Sequence, residues 1–93
     1  MRISNNEIEA IKESVNSLDS SAEIYLFGSR TVDVAKGGDI DLLIISEKLS
    51  YDDKITIRKN LYEKLDEQKI HIIIASDTTD PFVKIAYREG VLL

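Results

Sequence analysis

Cysteine is absent from the 93-residue chain. That excludes a disulfide scaffold, a thiolate zinc site and a cysteine nucleophile. The lack fits a reducing compartment, and a cytoplasmic location is the expectation. Long hydrophobic runs are absent too. The longest, at 42–45 and 72–75, reach about four residues, where a membrane-spanning helix needs about 20. No membrane association is therefore expected. The opening Met1-Arg2-Ile3-Ser4 turns polar at once, so no signal peptide is expected either. Aromatic residues make up 6% of the chain, and no base-stacking platform is legible. Tyr25, Tyr51, Tyr62 and Tyr87 are spaced like core and rim aromatics.

Positive charge is also in short supply: 12 Lys and Arg face 17 Asp and Glu, for a net charge of −5. An acidic domain repels phosphate backbones unless its basic residues cluster. Here Lys54, Arg58, Lys59, Lys64 and Lys69 are interleaved with Asp52, Asp53, Glu63, Asp66 and Glu67, the pattern of a solvated helix face. Autonomous nucleic-acid binding is not expected. A single nucleotide bound through a metal ion remains compatible, because the metal supplies the positive charge.

What is present is an ordinary globular balance, 43% hydrophobic and 31% charged. The length supports one domain over residues 1–93, with one core and no second lobe to close over a substrate. Ser4 and Glu7 form a capping box with Ile3 and Ile8 placed as a staple, and Ile8, Ile11, Val15 and Leu18 follow at helical spacing. Residues 23–27 read as a strand that Gly28 ends. Residues 29–35 read as one or two helical turns closed by Gly37-Gly38. Residues 40–45 are apolar on both faces and belong inside a sheet. Ser50 with Asp53 starts a long helix whose apolar side is read as Tyr51, Ile55, Tyr62 and Leu65. A third strand covers 70–75, with its sheet neighbours left open, and Asp80-Pro81 starts a last helix that Gly90 stops. The order α-β-α-β-α-β-α gives an α/β class with a small mixed sheet flanked by helices.

One segment carries chemistry. Gly28-Ser29 is followed, nine residues on, by Asp39-Ile40-Asp41 and the run Leu42-Leu43-Ile44-Ile45. Asp39 and Asp41 are two apart on a strand, so both side chains leave one face. Two adjacent carboxylates repel unless a cation lies between them, and a hard divalent ion takes oxygen ligands while leaving positions for phosphate. The bland alternative is a pair of acids capping a turn at a strand's exposed start. Gly28 at the strand end lets a phosphate approach the backbone, and Ser29 opens a helix whose free N–H groups attract an anion. Together the two halves make a nucleoside triphosphate site: one grips phosphate, the other holds metal.

Phe27-Gly28-Ser29-Arg30 and Gly37-Gly38-Asp39-Ile40-Asp41-Leu42-Leu43-Ile44 resemble the signature of the polymerase-β-type nucleotidyltransferase superfamily, closest to its minimal single-domain members. Asp80-Pro81-Phe82-Val83-Lys84-Ile85-Ala86 extends the resemblance toward the C-terminus. The resemblance implies a mixed sheet flanked by helices, Gly28 and Ser29 gripping phosphates, and Mg²⁺ held by Asp39 and Asp41. It implies transfer of a nucleoside monophosphate, with ATP the expected donor, to a hydroxyl. Small members of this kind stand beside a helical partner of the HEPN type as antitoxins, and some adenylylate a tyrosine of that partner. A homo-oligomer is compatible with the sequence, which does not set the state.

One departure matters. The family has a third acid on the next strand, in a pattern like Lys-Ile-Asp-Ile-Ile, whereas this chain reads Lys69-Ile70-His71-Ile72-Ile73. Asp77 lies six residues further on, about 20 Å along an extended strand, too far to substitute. A neutral imidazole accepts a proton near pH 7 but suits Mn²⁺ better than Mg²⁺. His71 is therefore either a third site residue or a tolerated replacement after loss of catalysis. Arg30 either pairs with a phosphate or covers its helix, and Lys36 reads as solvated. Two functions stay open: a nucleotidyltransferase acting on a partner protein, and an impaired module that neutralises its partner by contact. A stand-alone enzyme acting on a drug or RNA suffers from the missing second domain. The apolar ending Val91-Leu92-Leu93 either joins an interface or packs on its own sheet.

Overall fold

The computed structural model describes residues 3–28, 39–65 and 69–93. The elements run α1 (Asn5–Asn16), β1 (Glu23–Phe27), β2 (Ile40–Ile45), α2 (Tyr51–Lys64), β3 (Ile70–Ala75), α3 (Pro81–Glu89) and β4 (Val91–Leu92). The helix expected at 29–35 lies outside the described residues. The strands form one mixed sheet in the order β3-β2-β1-β4. β2 pairs antiparallel with β1 and parallel with β3, and β4 pairs antiparallel with β1.

Local chemistry explains each start. Ser4 accepts from the Glu7 N–H while the Glu7 side chain accepts from the Ser4 N–H, the expected capping box. Ser50 and Asp53 repeat it at α2. At α3, Asp80 accepts from the N–H groups of Phe82 and Val83, with Pro81 in the first turn. Such caps are each worth about 1 kcal/mol.

The two sheet faces are covered unequally. On one, α1 and α2 bury Ile11, Val15, Ile57, Leu61 and Leu65 against Ile24, Leu26, Ile40, Leu42, Ile44, Ile70 and Ile72. On the other, α3 packs Val83 and Ala86 against Tyr25 and Leu43, with Phe27, Ile45, Ile73 and Ala75 around them. β2 has strands on both sides and helices on both faces, which accounts for its continuous apolar run.

Two expectations change, and one open alternative narrows. The buried side of α2 is Ile57 and Leu61, continued by Leu65, while Tyr51, Ile55 and Tyr62 are exposed. Half-buried Lys54 and Arg58 share the inward side, because long charged side chains lay their stems on apolar surface. Leu18 is more exposed than buried-face spacing suggests, since α1 ends at Asn16 and Ser17 caps it. The apolar ending is a fourth strand: Val91 pairs with Leu26, Leu92 with Tyr25, and the Leu93 N–H donates to the Ile24 carbonyl. Leu93 packs on the larger core. The reading in which the ending packs on its own sheet is the one the structure supports.

Candidate nucleotide and metal site

The site is built at the start of β2, on the sheet face that carries α3. Asp39 precedes β2 by one residue, and Asp41 lies within it. Alternation puts both on the face of Leu43 and Ile45, the α3 face. Across the sheet, Asp41 registers with Phe27 on β1 and with His71 on β3. One row of this face therefore reads Phe27, Asp41, His71. The neighbour of the third strand, left open by the sequence, is the carboxylate strand itself, in parallel.

His71 Nε2 lies 2.8 Å from Asp39 Oδ2. A carboxylate offers no proton, so this hydrogen bond places hydrogen on Nε2. In the neutral ring, Nδ1 then carries the lone pair. Asp77 sits past the far end of β3, where it bonds Thr79, and takes no part.

Burial pushes the Asp41 carboxyl above its ordinary range; the His71 charge pulls it down, and the Asp39 charge raises it again. A strand that half-buries an acid beside a second acid destabilises itself unless positive charge arrives. Gly28 makes room for that acid. Its φ is +78°, in the left-handed region, and a Cβ built there would overlap Asp41 Oδ2 and stand 3.2 Å from Asp41 Cγ. Glycine is needed twice over, for backbone angle and for space.

Among the described residues, no three His, Asp or Glu side chains converge as a complete metal cage. Mg²⁺ does not require one. It is commonly held by one or two carboxylates, with substrate phosphates and water completing the shell. Two same-face aspartates, one beside a side-chain-free backbone position, fit that donor pattern. Ser29 and Arg30, the remaining expected phosphate contacts, lie outside the described residues, as does Lys36.

Sequence reasoning missed an aromatic pair. Phe82, in the first turn of α3, meets the Phe27 ring edge to face, with centroids 6.5 Å apart and planes at 82°. The low aromatic count argued against any such surface, and no local spacing links residues 27 and 82. A separate polar cavity of about 480 Å³ opens at the other end of β2, between Asp19, Ser46, Glu47, Lys48 and Ser76. It is remote from the carboxylate pair in strand order.

Among the described residues, the four-stranded mixed sheet with three helices is the architecture of a nucleotidyl-transfer type of α/β domain. The family model of the nucleotidyltransferase domain matches residues 8–93, and the chain belongs to that family. A search of curated proteins finds no match. Nucleotidyltransferase domains act on nucleoside triphosphates and generally use divalent metals. Among the described residues, no helix is long and apolar enough to cross a membrane.

Proposed function

We propose that the chain binds a nucleoside triphosphate with a divalent cation, ATP with Mg²⁺ first among them, and transfers the nucleoside monophosphate to a hydroxyl of a partner protein. Its role on this reading is the antitoxin of a toxin–antitoxin pair with a HEPN-type partner. The observation that carries the reading is the placement of Asp39 and Asp41 on one sheet face with Gly28 against Asp41. Asp39 and Asp41 would hold the cation, whose chemistry there would be to neutralise phosphate charge. Gly28 lets the phosphates approach the backbone, and Ser29 and Arg30 continue that grip. The acceptor oxygen bonds to the α-phosphorus as the α–β bridging P–O bond breaks, and pyrophosphate leaves. The hydroxyl proton leaves to water or to the side chain at position 71, where an imidazole stands in place of the family's acid. A small acidic domain has little surface for choosing an acceptor, so the partner brings it.

The test is incubation of the chain with labelled nucleotides, Mg²⁺ or Mn²⁺, and the product of its neighbouring gene. Labelled partner supports transfer. The second reading, neutralisation by contact without turnover, draws on His71, which stands at the third acid's position and ties up the Asp39 carboxylate. It requires nucleotide binding and partner inhibition to persist with no label transferred. Label on the partner that depends on Asp39 and Asp41 would overturn it.

A further inference from the structure

We propose that Phe82, backed by Phe27, is the stacking surface for the base of the nucleotide whose phosphates sit at Asp39 and Asp41. The inference rests on the nucleotide reading above and adds what grips the other end of the ligand.

Phe27 and Asp41 are register partners on β1 and β2, so their side chains rise from the same face. Phe82 then meets Phe27 at 6.5 Å between centroids. Two contact steps, each of about 5–7 Å, lead from the carboxylate to the Phe82 ring. That is the order of a nucleotide's own length. A single exposed apolar residue means nothing by itself. Phe82 is distinguished by what it does not do and by what it touches. Val83 and Ala86 pack α3 onto the sheet, while Phe82 stays 58% exposed. Among the described residues its ring partner is Phe27, which belongs to the carboxylate row. Its backbone is fixed by the Asp80 cap, which accepts from the Phe82 N–H at 2.9 Å. The ring is therefore oriented but not consumed by the fold.

A π face selects planar bases over sugars and phosphates, and it tolerates every base. Stacking strength sets any preference, so purine nucleotides bind more tightly than pyrimidine ones. The charged and the aromatic parts of the site then divide the ligand between them: the Asp39–Asp41 end takes phosphate through the cation, and the Phe27–Phe82 end takes the base.

The experiment is calorimetric titration of the full chain with Mg²⁺ and either ATP or inorganic tripolyphosphate, which has no base. Wild type, Phe82→Ala, Phe82→Leu and Phe82→Tyr are compared, each with its melting temperature. Phe82→Ala and Phe82→Leu should weaken ATP about tenfold and leave tripolyphosphate unchanged, while Phe82→Tyr keeps the wild-type affinity. Phe82→Leu retains apolar bulk without a π face, so it serves if Phe82→Ala melts early. Equal loss for both ligands, or no loss for ATP in either variant, overturns the stacking role and leaves the phosphate–metal reading standing. A wild type that binds neither ligand overturns both.

Discussion

The Asp41 carboxylate occupies the space that a Cβ on Gly28 would need. The end of β1 and the start of β2 are thus fitted to each other at one point. A half-buried acid lies against a backbone position from which the side chain has been removed. In a core this arrangement would be a defect, since the acid is desolvated and the glycine costs chain entropy. At the start of β2 it seats the carboxylate directly against the backbone of Gly28.

Gly28→Ala tests that fit. The left-handed backbone alone makes alanine about 1–2 kcal/mol less favourable, and the overlap with Asp41 adds to this. The melting temperature should fall by roughly 5–15 °C, and Mg²⁺-dependent ATP affinity should fall with it as the carboxylate is pushed aside. Thermal melts with and without Mg²⁺ and ATP read both effects. A variant that melts and binds like wild type would show that residue 28 and Asp41 do not approach in solution.

Asp39→Asn with Asp41→Asn should abolish metal-dependent nucleotide binding without unfolding the chain. Asparagine keeps the shape and removes two like charges, one of them on the carboxyl that burial pushes up. The metal-free double variant should therefore melt a few degrees higher than wild type. Calorimetry with ATP and Mg²⁺, beside a melt in chelator, separates the outcomes. Equal ATP affinity in the two proteins would remove the metal assignment.

Local devices were the legible part of the sequence. The capping boxes at Ser4 and Ser50 join residues three apart, and the run at β2 reports burial on both sides. The Asp39–Asp41 pair was legible because strand alternation needs only two positions. The α2 face was misread because Tyr51, Ile55 and Tyr62 look apolar, while the true inward side mixes Ile57 and Leu61 with the stems of Lys54 and Arg58. β4 has two residues, too few to show alternation, and it exists because β1 offers an edge. Residues 39 and 71, and 27 and 82, meet only through topology. No periodicity along the chain records which strand neighbours which.

At the other end of the sheet, acid should weaken one specific tie. The Ser46 hydroxyl donates to Asp19 at 2.6 Å. That bond first, and the Ser21 N–H second, hold the Asp19 carboxyl below its ordinary range. The unfolded chain thus takes up the proton at higher pH than the folded one. The contribution is complete above the ordinary carboxylate value, roughly pH 4, and is lost as pH falls through the lower folded value. Ser46→Ala should melt below wild type at pH 7, with the gap narrowing below about pH 4. It should not close fully, because Ser46 Oγ also accepts from the Lys48 and Leu49 N–H groups. A gap independent of pH would mean that Asp19 draws nothing from Ser46.

Truncation after Gly90 removes β4 and the Leu93 bond to Ile24. It exposes the edge of β1 and uncovers part of the larger core, where Leu93 packs. The melting temperature should drop by several degrees, with the association state of the full chain preserved. Sedimentation and a thermal melt check this. Loss of association with no change in melting would restore the ending to an interface role.

His71 decides the division between transfer and contact. It stands in register with Asp41 and bonds Asp39, so a carboxylate at residue 71 would enter the same group. His71→Asp removes the bond to Asp39 and places three acids together. Without metal the variant should melt lower than wild type through like-charge repulsion. With Mg²⁺ it should recover, because a ligand that binds only the folded state stabilises it. The added oxygen donor and negative charge should also strengthen Mg²⁺-dependent transfer to the partner, or create it, while wild type transfers better with Mn²⁺ or not at all. Transfer rates and melting temperatures of both proteins, in chelator and with each metal, give the comparison. If wild type transfers quickly with Mg²⁺ and the variant is slower, the imidazole is a working proton acceptor and its replacement is the loss. If neither the melts nor the rates change, the 2.8 Å contact with Asp39 has no counterpart in solution, and His71 plays no part in the site.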